Sequence, residues 1–458
     1  MRKLFSVLLL SFAVTLPVHS VDLMDIYEQA LENDPDFKNA YDTYMSNKEN
    51  IPIARSALYP QVTLNSQAAR NAQDILVSGT RLKGTFNSYQ WQVTASQAVF
   101  NLQAWMAVQQ AKASVKAAQA QFNDAAQSLI LRTASAYFTV LLAKDTLAFA
   151  EAKKRANKRQ LDQAQQRFNV GLDAITSVYE AKAAYDQSVA EVIQARNNEI
   201  NQKENLRKLT NHAYDKLAPL RNARIPLIQP EPNNADEWVS RGLKQNYLLY
   251  AAKYTFEAAR DNIRIQNSAH FPSFAIQSNT LKQYNLAGAS GNFFAPQKQT
   301  VANIALAMNF PMFQGGLIEA NVRQAQFDYQ ANAELLEKTQ RDVVVNSRIA
   351  FNTIIDGISK VKADRETVVS QRQSLESTEA QFQVGTRTMV DVVNAQQRLF
   401  EAQRELATDQ YNLINALLDL KYLAGTLNVN DLEQVNAWLD TTRIYAYPPN
   451  SQIKTDTK

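Results

Sequence analysis

Hydrophobic residues recur every seven positions along two long stretches of the chain, one in each half. One row consists of Val392, Leu399, Leu406, Leu413 and Leu420, and its counterpart in the first half of Val178, Tyr185, Val192, Glu199 and Leu206. A second pair of rows precedes these, from Val108 to Ala143 and from Val322 to Ala350. Heptad spacing predicts long helices that pack side by side. The register shared by the two halves indicates an internal duplication.

A glycine interrupts each long helical stretch at the same point of the repeat. The first interruption lies between Arg167 and Val178, and the second between Gln381 and Val392. Glycine adopts positive φ at little cost and therefore commonly ends a helix. Each interruption predicts the tight bend of an antiparallel helical hairpin.

The hydrophobic period changes to two after Pro60 and again after Pro272. Apolar residues alternate with amides and small residues at Val62 and Leu64, from Tyr89 to Ala95, at Phe274 and Ile276, and from Ile304 to Phe310. Period two predicts strands with one apolar face. Each run is about ten residues long, enough for a tilted strand to cross a bilayer, and a polar loop separates the first two. An ordinary water-soluble hairpin in each half remains the alternative.

The remaining periodic segments predict helices. Short helices are expected over 23–33, 36–57, 235–246 and 247–268, before the two strand pairs. A helix of about 65 residues resumes near Asn101, since neither glycine nor proline occurs between Gly84 and Gly171. At about 1.5 Å per residue it measures on the order of 100 Å. A helix of that length must lie against other long helices.

Composition narrows the function classes. Residues 1–20 read as a secretory signal peptide, with Arg2 and Lys3 before an apolar core. The formal charge of +4 is too small to argue for nucleic acid. The chain has no cysteine, and its three histidines lie in no metal-ligand motif. No Ser/His/Asp set and no phosphate-binding glycine loop is present, so we expect no enzyme, no cofactor and no metal site.

The duplication organises the whole chain. We expect a signal peptide at 1–20, a first repeat at 21–218 with a β-hairpin at about 61–100, and a connector at 219–234. A second repeat follows at 235–428 with a hairpin at about 272–313, and then an equatorial segment with the C-terminal tail at 429–458.

Four strands per chain cannot close a barrel, and open strand edges in hydrocarbon leave backbone groups unpaired. Two chains would give about eight strands, whose interior side chains fill, whereas three would give about twelve and leave a lumen. The predicted fold class is mainly α with membrane β. Long helical hairpins would form an α-barrel, and each chain would add four strands to a trimeric β-barrel, so that the protein is a conduit.

Several segments resemble a known family. They are Arg167 to Val178, Thr133 to Phe138, Pro311 to Gly316, and Val384 to Thr388, and the resemblance covers the chain from Leu23 to Leu427. They are similar to the TolC family of trimeric outer-membrane efflux and secretion channels. The resemblance implies an outer-membrane homotrimer whose α-barrel extends into the periplasm, set in outer-membrane lipid. It also implies periplasmic adaptor (membrane fusion) proteins and inner-membrane transporters of RND, ABC or MFS type as partners.

The same resemblance implies a gate at the two bends. Arg387 would reach the bend at Thr176 and Ser177, and Asp391 would line the narrowest part of the lumen. The adaptor-docking tips would be Val170, Gly171, Leu172, Val384, Gly385 and Thr386.

Three positions depart from the family pattern, which has an aspartate at Ser177, a tyrosine at Phe382 and a second ring aspartate at Asn394. We therefore expect a more weakly latched gate and weaker block by multivalent cations, because charge-assisted hydrogen bonds are about twice as strong as neutral ones.

The alternative function is a periplasmic coiled-coil adaptor or scaffold without a pore, which needs no lipid-facing strands. Drug efflux and protein secretion are not distinguished at this stage. The residues themselves also allow a simpler reading of the gate, with Arg387 as a surface cation and Asp391 as a first-turn carboxylate favoured by the helix dipole.

Overall fold

The computed structural model describes residues 21–77, 79–214, 216–221, 225–286 and 297–440. The predicted signal peptide and the tail beyond residue 440 lie outside these residues. The helices are α1 (Leu23–Asn33), α2 (Pro35–Lys48), α3 (Asn50–Ser56), α4 (Leu102–Asn169), α5 (Ile175–Thr210), α6 (Ala235–Gln245), α7 (Tyr247–Ser268), α8 (Leu317–Gln383), α9 (Met389–Leu423) and α10 (Val429–Asn436). The strands are β1 (Gln61–Val77), β2 (Thr80–Phe100), β3 (Ser273–Leu286) and β4 (Gln297–Asn309). The order helix, hairpin, long helix, bend, long helix therefore occurs twice, as the duplication predicts.

The chain divides into two compact units. The first comprises Met1–Lys38, Ala126–Lys244 and Val345–Lys458, and the second Asn39–Ala125 and Gln245–Val344. The first unit contains the helical bends, and the second contains the whole sheet. The predicted long helix is α4, with 68 residues, and its counterpart α8 has 67.

The sheet is a four-stranded antiparallel meander in the order β1-β2-β3-β4. The first hairpin pairs Gln61 with Ser96 and continues without a break to Val77 and Thr80. The predicted strands of about ten residues, joined by a polar loop, are therefore wrong for this hairpin: β1 has 17 residues and β2 has 21. The residues of the supposed loop up to Val77 and from Thr80 onwards extend the two strands, because each of them pairs with a residue of the neighbouring strand.

One face of the sheet is apolar and exposed. Directly opposed residues of an antiparallel pair share a face, and Leu64 opposes Val93 while Ile276 opposes Leu306. The exposed apolar residues on this face include Val62, Leu64, Trp91, Val93, Ile276, Ile304, Leu306 and Met308. The opposite face carries amides such as Gln92, whose Nε2 donates to Asn279 Oδ1 at 3.0 Å. A sheet with this distribution has one face suited to lipid and one suited to water.

The core of the helical unit explains the Thr133–Phe138 segment. Tyr137 and Phe138 are both fully buried, and the Tyr137 hydroxyl donates to the carbonyl of Ala218 at 2.8 Å. Burial raises the pKa of Tyr137 well above its usual range. Ala218 lies after α5, at the end of the first repeat, and its neighbour Leu217 is fully buried too. This motif of the family pattern therefore has a packing role.

The predicted helix over 36–57 is wrong in one respect, because it breaks at Glu49 into α2 and α3. Pro52 has no N–H to donate to the carbonyl of Lys48, so the helical ladder loses a bond at that point.

Among the described residues, α4 alone is long and apolar enough to cross a membrane. Half of its most apolar stretch is buried within the protein, as in a core helix. No group of three or more His, Asp or Glu side chains in the described part of the chain is arranged to hold a metal.

Candidate functional site

The two helical bends close in the same way. Gly171 has φ +76°, and the Leu172 N–H donates to the Arg167 carbonyl at 2.8 Å. In the second bend Gly385 has φ +82°, and the Thr386 N–H makes the corresponding bond at 3.0 Å. This is the Schellman arrangement, which requires a residue of positive φ just after the helix. The sequence correctly predicts both glycines as the points where the long helices end.

The bends present apolar side chains to solvent. The predicted tip residues Val170, Gly171, Leu172, Val384, Gly385 and Thr386 are all exposed, and Val384 is 74% exposed. Exposed aliphatic side chains on a tight bend are typical of a surface that a partner covers.

A polar bond spans each bend between residues six positions apart. In the first bend Arg167 Nε donates to Asp173 Oδ2 at 2.7 Å. In the second, Arg387 Nε donates to Gln381 Oε1 at 3.1 Å. The two copies thus share a geometry but not a chemistry: the first is a half-buried ion pair, and the second a bond between an exposed cation and a neutral amide. Sequence analysis missed Asp173, although its position after an arginine and a glycine in the repeat was a usable signal.

Phe382 joins the two bends. Its ring is buried in a cluster with Ala164, Val178, Ala181, Met389 and Val392, which come from both helical hairpins. The guanidinium of Arg167 lies over this ring, 5.1 Å from its centroid. Phe382 lacks the hydroxyl that the family pattern has, as the sequence shows, but its ring supplies a cation–π contact and apolar packing between the bends.

Asp391 caps the second helix of the second bend. Its carboxylate accepts from both the N–H and the hydroxyl of Thr388 at 2.9 Å, and the Thr388 hydroxyl in turn accepts from the Asp391 N–H. These hydrogen bonds hold the pKa of Asp391 below its usual value. The guanidinium of Arg387 lies 3.9 Å from the carboxylate. Asp391 therefore remains ionised at neutral pH.

The other predicted gate residues lie close to the bends. Thr176 and Asn394 are exposed, and Ser177 is half-buried in the first turn of α5. Within the described chain, the hydrogen bonds of Arg387 remain in its own bend and do not reach Thr176 or Ser177. Arg387 also has a carboxylate neighbour, Asp391, in addition to the neutral amide of Gln381.

Comparisons with known proteins match this architecture. The model of the family described as outer membrane efflux protein matches residues 26–212 and again residues 238–426. The outer membrane protein TolC of Escherichia coli K12 is 35% identical over 421 residues, which are 91% of this chain and 84% of the relative. The alkaline protease secretion protein AprF of Pseudomonas aeruginosa is 27% identical over 448 residues, 95% of this chain and 92% of the relative.

The fold has a close match among solved structures. The CmeC outer membrane channel of Campylobacter jejuni superposes with a TM-score of 0.75 at 17% identity, covering 92% of this chain and 91% of CmeC. At that identity the likeness concerns the fold alone.

The exposed apolar sheet and the duplicated helical hairpins define the class as the protomer of an outer-membrane channel. Within that class, the chain belongs to the outer membrane efflux protein family. It is a protein of the outer membrane, and its relatives are channel and secretion proteins rather than enzymes.

Proposed function

We propose that three copies of the chain form one gated conduit through the outer membrane. The observation that carries the proposal is a sheet with an exposed apolar face and two edge strands, β1 and β4, that each have one neighbour. An unpaired edge in hydrocarbon costs several kcal/mol for each backbone group. Pairing β4 of one copy with β1 of the next removes every edge, and about twelve strands leave a lumen.

We further propose that the bends form the gate of this conduit. In the closed state Arg387 of one bend reaches Thr176 and Ser177 of another, and Asp391 lines the constriction beside Asn394. The Arg167–Phe382 contact supports the proposal, because it holds the two bends of one protomer together at 5.1 Å. Asn394 leaves a single aspartate ring, so block by multivalent cations is weaker than with two rings.

The exposed aliphatic tips of both bends are the proposed docking surface for periplasmic adaptor proteins. These would connect the conduit to inner-membrane transporters of RND, ABC or MFS type. The names of the relatives include both a TolC channel and a protease secretion protein. We propose that cargo choice belongs to the inner-membrane partner rather than to the bends.

The experiment is planar-bilayer conductance of the detergent-purified protein, with the oligomer mass measured in the same preparation. We expect a trimer that gives small, long-lived, cation-preferring steps. Arg387→Ala should enlarge the steps, whereas Arg341→Ala, which removes an exposed arginine from mid-helix, should leave them unchanged. A water-soluble species without conductance would refute the proposal and favour the scaffold alternative.

A further inference from the structure

The charged residues of the four strands all lie on one face. They are Arg70, Asp74, Arg81, Lys83, Lys282 and Lys298. The pairing register places them on the apolar, exposed face, since Lys282 opposes Trp91 and Lys298 opposes Tyr284. The opposite face of these strands carries no charged residue. Charged residues are ordinary on the lumen face of a water-filled barrel. Here they occur only on the outward face of the strands, which indicates a binding partner on that face.

The cations overlap the end of the apolar band that lies towards the turns: Lys282 is two residues before Tyr284, Lys298 is opposite Tyr284, and the others lie beyond it. On β3 this face carries Ser278, Thr280 and Lys282 between its aromatic ends, and the apolar residues at that level are supplied by β2 and β4. The band extends along β3 from Phe274 to Tyr284, ten residues further on. At about 3.3 Å per residue this is roughly 33 Å. A strand tilted by about 40° thus covers the roughly 25 Å of a barrel's apolar band. Aromatic residues mark both ends of such a band, as Phe274 and Tyr284 do here.

Three of the cations have no carboxylate partner at that level, and the Lys298 ammonium lies over the Tyr284 ring, 5.5 Å from its centroid. Arg70, Lys282 and Lys298 are exposed, and no carboxylate of the described strands contacts them. The one strand carboxylate, Asp74, lies nearer the turn and is held by Arg81 at 2.9 Å and Lys83 at 3.4 Å.

The position of the cations along the strands also indicates which side of the membrane they face. Cations occur only at the end of the band where the strands turn, and the strands have none at the end where the long helices begin. If the helices are periplasmic, the cations lie in the headgroup region of the outer leaflet. Pairing β4 of one copy with β1 of the next would place the strands that carry Lys298 and Arg70 side by side.

We propose that Arg70, Lys282 and Lys298 bind the phosphate groups of a phosphorylated glycolipid in the outer leaflet. The inference rests on the proposed trimeric barrel. Lysine and arginine at a membrane surface attract anionic headgroups. Long cationic side chains can also extend from the hydrocarbon edge towards phosphate.

The test measures binding of the trimer to phosphatidylcholine vesicles that contain diphosphoryl lipid A or its fully dephosphorylated form. The wild type should bind the phosphorylated form at least ten-fold more tightly. The triple variant Arg70→Gln, Lys282→Gln, Lys298→Gln should lose this preference. A matched variant, Lys182→Gln, Lys208→Gln, Lys338→Gln, removes the same charge from exposed helical positions and should keep it.

Equal binding of the two lipids by the wild type overturns the proposal, whatever the variant does. A triple variant that keeps the preference overturns it too. Oligomer mass and conductance are recorded on the same samples. A conducting wild-type trimer without lipid preference refutes this inference alone, whereas a wild type that forms no trimer refutes the proposed function.

Discussion

The two bends have the same backbone conformation, but the polar side chains that span them differ. Where the first bend has Arg167 and then Asp173, the second has Gln381 and then Arg387, each pair six residues apart. In the first bend the arginine is therefore paired with a carboxylate of the same bend. In the second bend Arg387 is exposed and donates to a neutral amide, so its guanidinium can also bind another bend. A duplicated element has in this way acquired one self-contained copy and one copy that can interact outwards.

The ion pair of the first bend can be tested with Asp173→Asn. The half-buried Arg167 would lose its carboxylate, and we expect a loss of about 1 kcal/mol in stability together with larger closed-state conductance. Asp162→Asn is the control, because Asp162 forms an exposed pair with Lys158 on the same helix. Equal effects of the two substitutions in bilayer recordings would show that the bend pair has no special role.

The cap of α9 can be tested with Thr388→Ala, which should cost about 1 kcal/mol. The pKa of Asp391 is depressed in the folded state. The contribution of Asp391 to the free energy of unfolding is therefore present above its ordinary pKa, and it is lost as the pH falls through the pKa of the folded state. The difference in melting temperature between wild type and variant should be larger at pH 7 than at pH 3. Thr378→Ala, which removes a hydroxyl that donates to the Ser374 carbonyl within α8, should show no such pH dependence.

At the scale of elements, α8 and α9 are joined by a cluster of charges. Lys360 Nζ bonds both Glu405 and Asp409 at 3.0 Å. Burial, followed by the hydrogen bond and the charge of Asp409, raises the pKa of Asp364 to about 6. One lysine thus faces three carboxylates, whose mutual repulsion favours protonation of Asp364.

The cluster predicts a pH-dependent stability. A carboxyl with a raised folded pKa binds more protons when folded, so stability falls as the pH rises from about 4 to about 6. Asp364→Asn removes this loss and should raise the melting temperature at pH 8, with little effect at pH 4. The exposed Asp356 on the same helix provides the control Asp356→Asn. A pH-independent shift for Asp364→Asn would contradict the account.

The sequence predicts most elements because their signals are local. Heptads, the glycines at 171 and 385 and the alternation after Pro60 each depend on neighbouring residues. The length of β1 and β2 could not be predicted in this way, since residues 66–77 and 80–88, which are mostly polar, are strand only because they pair with each other. Likewise, the Arg167–Phe382 contact joins residues more than 200 positions apart, and no local pattern indicates it.

At the scale of the whole molecule, the sheet assigns lipid to one face and water to the other. Ile304, 78% exposed, lies in mid-band on β4, and its neighbour Asn303 points to the opposite face. Ile304→Lys should cost about 2–4 kcal/mol at the bilayer midplane and reduce the yield of inserted trimer. Asn303→Lys should insert normally and shift ion preference towards anions. Reversed outcomes in reconstitution and conductance would invert the assigned faces.

The charged strand ends have a kinetic consequence as well. Each protomer has five cations and one carboxylate on the outward face, in the half of the strands nearer the turns. Withdrawing a formed barrel would draw these groups through hydrocarbon, at about 2–4 kcal/mol for each Lys or Arg at the midplane. The same barrier opposes entry, so assembly needs assistance while escape is slow. The charges therefore determine which way the barrel faces in the membrane and oppose its withdrawal.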